Sequence, residues 1–202
     1  MRASRPWLAP LGFLLVAVLA SGCASSSGLQ GRLDASSGHH SRTTFRDTVV
    51  YLVSESPESV ATGRPTAAMA ANRSGFHPSV LAVAAGTRVE FRNNDDVFHQ
   101  FFSVSPAQTF DVGAVSPGEK RYVIFDHPGE VHVFCALHPK ESAFVYVTPT
   151  RRFARVDDQG RFHFWGLEPG SYTLRTWHPE RGETSQAVVV PRHATVQVTL
   201  TN

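Results

Sequence analysis

Several signals are missing from this sequence, and each absence narrows the reading. No long segment repeats its apolar residues at the helical period, so a helical architecture has no support. No basic run is interleaved with aromatics, so nothing points to nucleic acid. No phosphate-cradling glycine loop and no nucleophile–base pair come into view, so the common hydrolytic and phosphoryl-transfer chemistries lack a signature. Cysteine is scarce, with only Cys23 and Cys135 in 202 residues. Charged residues make up 18% and hydrophobic residues 42%, which is the balance of a chain that folds.

What is present is material for strands and turns. There are 13 prolines, 15 glycines and 14 phenylalanines, with many valines and threonines, and the expected class is all-β. The run 48–53 has strand composition, and 54–65 is turn-rich. From Phe76 onward strand signals are dense: 80–83, 88–91, 99–104, 120–125, 130–134 and 143–147, separated by turn clusters such as Asn93-Asn94-Asp95-Asp96 and Ser116-Pro117-Gly118. Arg88-Val89-Glu90-Phe91 alternates as a half-buried strand does. Counting 67–71 as well, about seven short strands in about 80 residues suit a Greek-key sandwich. The tail adds strands at 161–164, 171–175, 187–190 and 195–200, enough for a second small sheet.

The N-terminus reads separately. Arg2 and Arg5 precede an apolar stretch from Leu8 to Ala20, interrupted by Pro10 and Gly12 and too short for a membrane-spanning helix. It ends in Leu19-Ala20-Ser21-Gly22-Cys23, which resembles the lipobox of bacterial lipoproteins. That resemblance implies a signal peptide over 1–22, lipidation at Cys23, and a tether over 23–28. It implies residence at the periplasmic face or cell surface, with Ala24 favouring the outer membrane, and a membrane held through the N-terminal lipid. Loss of residues 1–22 removes two of nineteen Lys and Arg, leaving seventeen against seventeen Asp and Glu. A near-zero charge gives no electrostatic hint of a partner. If Cys23 carries lipid, Cys135 has no disulfide partner, and an unpaired thiol in an oxidising compartment is a liability unless something uses its thiolate.

A copper electron-transfer site needs one thiolate, two imidazoles and a weak axial ligand. Cys135-Ala136-Leu137-His138 supplies a thiolate and an imidazole, and His99 stands at an earlier strand end after Asn93-Asn94. Together with Phe76 to Val83 and Ala85 to Phe91, this ordered set resembles the cupredoxins, plastocyanin in particular. The resemblance implies a cupredoxin sandwich over 66–149 that binds one copper ion, Cu(I)/Cu(II), through His99, Cys135 and His138. Glu141 stands where the family places a methionine; two readings stand, an axial carboxylate favouring Cu(II), or a side chain facing solvent. Met69 is a remote alternative. Gln100 replaces a usual asparagine, which puts that residue's bracing of the ligand loop in doubt. Phe98, Phe101, Phe102, Phe110 and Phe134 are expected as core residues first, which can also keep water from the site. His39, His40, His77, His127, His132, His163 and His193 are read as ordinary histidines.

Segments 29–65 and 150–202 resemble the two halves of a carboxypeptidase regulatory-like β-sandwich, with the copper segment inserted between them. The combination also resembles periplasmic lipoproteins related to methylamine utilisation. Trp177-His178-Pro179 is expected as a packed strand end that could neighbour the copper domain. Three functions remain open: a one-electron carrier with an exported redox partner, a copper storage, delivery or sensing protein, or a structural surface module with a decayed site. An enzyme is the weaker expectation.

Overall fold

The computed structural model describes residues 27–34, 45, 47–55, 63–192 and 195–201. Cys23, the signal segment, most of the tether, His39, His40 and His193 lie outside these residues. Strands run in the order β1 (Ser27–Asp34), β2 (Val49–Ser54), β3 (Thr66–Asn72), β4 (Gly75–His77), β5 (Val80–Ala84), β6 (Thr87–Asn93), β7 (His99–Ser105) and β8 (Gln108–Val115). They continue as β9 (Lys120–Phe125), β10 (Gly129–Cys135), β11 (Ser142–Thr148), β12 (Phe153–Arg155), β13 (Arg161–Leu167), β14 (Gly170–His178), β15 (Gly182–Val190) and β16 (Thr195–Thr201). Among the described residues there is no helix, so the chain is all-β.

Four sheets carry these strands. A five-stranded sheet, β5-β11-β10-β7-β8, faces a four-stranded sheet, β4-β3-β6-β9. Period-two alternation builds the core between them: in β6, Val89 and Phe91 point in while Arg88 and Arg92 point out. Val131 and Val133 of β10 and Val145 and Val147 of β11 meet them, with Phe101, Phe125 and Met69, all fully buried. The other two sheets are β13-β1-β16 and β12-β2-β14-β15, enclosing a second core of Leu29, Leu52, Phe162, Leu174 and Val196 among others.

A third cluster joins the two cores. Val50 and Leu52 face the second core, while Val49 and Tyr51 face Val80, Tyr146 and Trp177. β2 is therefore buried on both faces, which explains its unbroken apolar run. Trp177 lies stacked on Tyr146, ring centroids 4.4 Å apart, and its Nε1 donates to Glu130 at 3.2 Å. It is a packed strand-end tryptophan, and its packing partner belongs to β11.

Between residues 66 and 148 the chain forms β3 to β11, two strands more than sequence signals indicated. β4 is three residues long, and β8 is an edge strand with most of its positions partly or fully exposed. β4 is too short to show a pattern and is a strand through its pairing with β3, whereas β8 alternates, with Phe110 and Val112 packed against the core and Thr109 and Asp111 exposed.

Candidate metal centre

β10 and β7 run antiparallel, with Cys135 opposite Phe101. Cys135 ends β10 and His99 begins β7, and both side chains point between the sheets. Alternation fixes this, since His99, Phe101, Val133 and Cys135 share the inward parity. The loop after Cys135 turns back at once: the Glu141 amide donates to the His138 carbonyl at 2.9 Å, and the Cys135 amide donates to the Glu141 carbonyl at 3.1 Å. His138 and Glu141 thereby return over the strand end.

One ligand atom from each of His99, Cys135, His138 and Glu141 lies within 4.8 Å of the other three. Cys135 Sγ is 3.8 Å from His99 Nδ1 and 3.5 Å from His138 Nδ1. Glu141 Oε2 is 2.9 Å from His99 Nδ1 and 3.6 Å from His138 Nδ1. Bonds of about 2.0–2.3 Å to one central ion at tetrahedral angles separate donor atoms by roughly 3.3–3.8 Å. Three of the four contacts fall in that interval, and the Glu141–His99 contact is a hydrogen bond that an ion would open. The residues present thus fit a metal ion, and one soft thiolate with two imidazoles and a carboxylate is a donor set suited to copper.

Burial grades across the site. The His99 side chain has no exposure, and Cys135 retains 4%; the His138 and Glu141 side chains are 38% and 20% exposed. The ring of Phe76, from β4, lies 6.3 Å from the His99 ring and stacks on Phe101 at 4.4 Å. Gly75 sits over Glu141, where an added Cβ would stand 3.9 Å from its Cγ. Short as it is, β4 helps wall the site.

The expected phenylalanine surround is redistributed. Phe101 is buried in the core and Phe110 packs against it from a partly exposed position. Phe98 is 54% exposed, and Phe102 and Phe134 have outward parity on the five-stranded sheet. Adjacent phenylalanines in a strand cannot both face the site, and Phe76 fills that role instead. Met69 is buried in the same core cluster as Cys135. Gln100 turns its amide to Asp111, 2.9 Å from both carboxylate oxygens, while its carbonyl accepts from the Ala136 amide at 3.1 Å. Main chain, rather than the Gln100 side chain, ties β7 to the ligand loop.

A polar brace went unread in the sequence. Asn93 is fully buried and donates from Nδ2 to the Val97 carbonyl at 2.7 Å and the Val115 carbonyl at 2.9 Å. It shapes the loop that delivers His99. The sequence marks it as a turn residue on the approach to His99, and neither signal shows that its side chain is a buried brace.

The other described histidines do other things. His77 contacts Ser74 Oγ at 2.8 Å, His163 lies 5.4 Å from the Trp165 ring, and His127 is exposed. His132 is packed between Phe134 and Phe144, at 3.9 and 4.1 Å between centroids. Burial holds its pKa below the ordinary histidine value, only partly offset by Glu130. Burial also raises the phenols of Tyr51 and Tyr146, which meet at 3.2 Å.

A family model described as the cupredoxin-like domain matches residues 48–147. The chain carries a cupredoxin-like domain. The match begins at Thr48 and so takes in β2, which hydrogen-bonds into the sheet of β12 and β14. Similar solved structures include a purple cupredoxin from Nitrosopumilus maritimus, at 22% identity over 41% of this chain and 99% of that one, TM-score 0.38. A copper-containing nitrite reductase from Thermus scotoductus is 24% identical over 48% of this chain and 25% of that one, TM-score 0.39. A Cu(I) amicyanin variant is 20% identical over 49% of this chain and 98% of that one, TM-score 0.38. Comparison with curated proteins finds no match.

Proposed function

We propose that this protein is a mononuclear copper protein that carries single electrons, with His99, Cys135, His138 and Glu141 as the ligands. The observation that carries the reading is the convergence of one sulfur, two ring nitrogens and one carboxylate oxygen within 4.8 Å. A bound copper ion would supply a one-electron Cu(I)/Cu(II) couple. The chain's part is to hold the donors still. His99 and Cys135 are fixed by adjacent strands, so little protein rearrangement need accompany a change of oxidation state. Phe76 and Phe101 keep water from the inner side. Glu141, as an anionic ligand, favours the oxidised ion and should lower the potential relative to a thioether in its place.

Voltammetry of the copper-loaded protein tests this. A reversible one-electron couple is expected, lost in Cys135→Ala with the circular dichroism of the strands unchanged. A loaded wild type with no such couple contradicts electron carriage.

A second reading is copper storage, delivery or sensing. It is favoured by the partial exposure of His138 and Glu141, which leaves two ligands within reach of an acceptor. Slow self-exchange with copper readily lost to a chelator would support it; rapid self-exchange with retained copper would support carriage.

The same reading includes export, lipid attachment at Cys23, and residence at the periplasmic face or cell surface, the outer membrane favoured by Ala24. It also includes an exported redox partner. We assign residues 66–149 to the copper domain and 29–65 with 150–202 to a discontinuous carboxypeptidase regulatory-like sandwich. The separate cores of the two sheet pairs support that division.

A further inference from the structure

We propose that Asp95 is a positioning residue of the metal centre, accepting the Nε2 proton of His99 so that Nδ1 is the nitrogen presented to the ion. The inference rests on the metal-centre reading. His99 turns Nδ1 toward Cys135 Sγ and Glu141, which leaves Nε2 on the far side of a ring with no solvent exposure. A buried ring N–H needs an acceptor. Asp95 Oδ2 stands 3.4 Å from it, on a side chain only 5% exposed.

The turn before β7 is built to hold this carboxylate in place. The Asp95 amide donates to Asn93 Oδ1 at 2.9 Å, and the buried Asn93 is itself tied to Val97 and Val115. Asp95 Oδ1 accepts the Asp96 amide at 2.7 Å, leaving Oδ2 toward the ring. The neighbouring acid faces elsewhere: Asp96 is paired with Arg73 at 2.8 Å, and both are largely exposed. Only one of the two consecutive acids addresses the histidine.

Two effects follow. A carboxylate hydrogen-bonded to the outer nitrogen fixes the tautomer and ring orientation and makes the ligating nitrogen more basic. With Cys135 and Glu141, Asp95 is also a third negative charge close to the ion, which favours Cu(II) over Cu(I).

The experiment uses Asp95→Asn, Asp95→Leu and Asp96→Asn in the full chain. Asp95→Asn keeps an acceptor oxygen and removes the charge; Asp95→Leu removes both. Measured are the reduction potential with copper, affinity for Zn(II) alone, the EPR spectrum, and unfolding of the metal-free protein. In Asp95→Asn the potential should rise by about 59 mV, a tenfold change for a one-electron couple. In Asp95→Leu, Zn(II) affinity should fall roughly 10–100-fold, the usual effect of losing an outer-shell partner, and the EPR signal should split into more than one species. Asp96→Asn should leave all four readouts at wild type. An unchanged potential and affinity in both Asp95 variants overturns the proposal, even if metal-free stability falls, because Asp95 would then be a turn residue only. An equal shift in Asp96→Asn also overturns it, since general surface charge would account for the effect. A wild type that takes up neither Cu(II) nor Zn(II) at Cys135 instead refutes the underlying metal-centre reading.

Discussion

His132 shows how a residue outside the site bears on stability. Its ring is enclosed by Phe134 and Phe144, and its Nε2 is buried without a partner among the described residues. Burial disfavours the charged ring, so the folded pKa lies below the unfolded value of about 6.5. A depressed histidine contributes stability that is present above the unfolded value and lost as pH falls below it. Denaturant unfolding from pH 7 to pH 5 should therefore show falling stability, with a shallower slope in His132→Phe. His178, also depressed by burial, keeps some slope in that variant. An identical slope in wild type and variant would remove His132 from the account. At this same scale the candidate ligands were partly legible. Cys135, His138 and Glu141 share one short loop, so spacing alone places them together, whereas His99 needed a family pattern. Asn93 was legible as part of the approach to His99 but not as a buried brace, and Asp95 was not legible, because polar residues in a turn have a sufficient reason to be there without a histidine to serve.

Strands were read well where one face is buried. β6 alternates and is visible as such, while the three-residue β4 owes its form to pairing with β3, and the alternation of β8 is masked by its partial exposure at the sheet edge. Of the phenylalanines, Phe101 and Phe110 pack in the core as expected, whereas Phe98, Phe102 and Phe134 take other faces, because composition shows abundance and only strand parity decides which face each ring takes. β1 gives a prediction at this scale. Gly31 pairs with Phe162 of β13, and a Cβ placed on it would lie 2.0 Å from the Phe162 ring. The missing side chain is what lets that ring lie across β1. Gly31→Ala should cost about 1–3 kcal/mol, the usual penalty for overpacking a filled site, read as a lower denaturant midpoint. Gly31→Ala combined with Phe162→Leu should regain part of it. A neutral Gly31→Ala would mean that the ring moves aside freely.

For the whole molecule, the consequential feature is that the sheet behind the His99–Cys135 cluster is also a wall of the contact with β2 and β14. β11 buries Val145 and Val147 in the core between the five- and four-stranded sheets and Tyr146 against Tyr51 and Trp177. Trp177→Ala should cost about 3–5 kcal/mol, as for other buried tryptophans, and should separate a single thermal transition into two. One unchanged transition would show that the sheets do not depend on this contact for their cooperativity. Everything at the larger scales places four side chains at one strand end, and the absorption and EPR spectrum of the copper-loaded chain tests that placement most directly. An intense thiolate-to-Cu(II) charge-transfer band is expected, with an EPR signal altered by Glu141→Gln, and both features should depend on Cys135. Copper bound without that band, or with a spectrum indifferent to Cys135→Ala, would contradict the assignment of the centre.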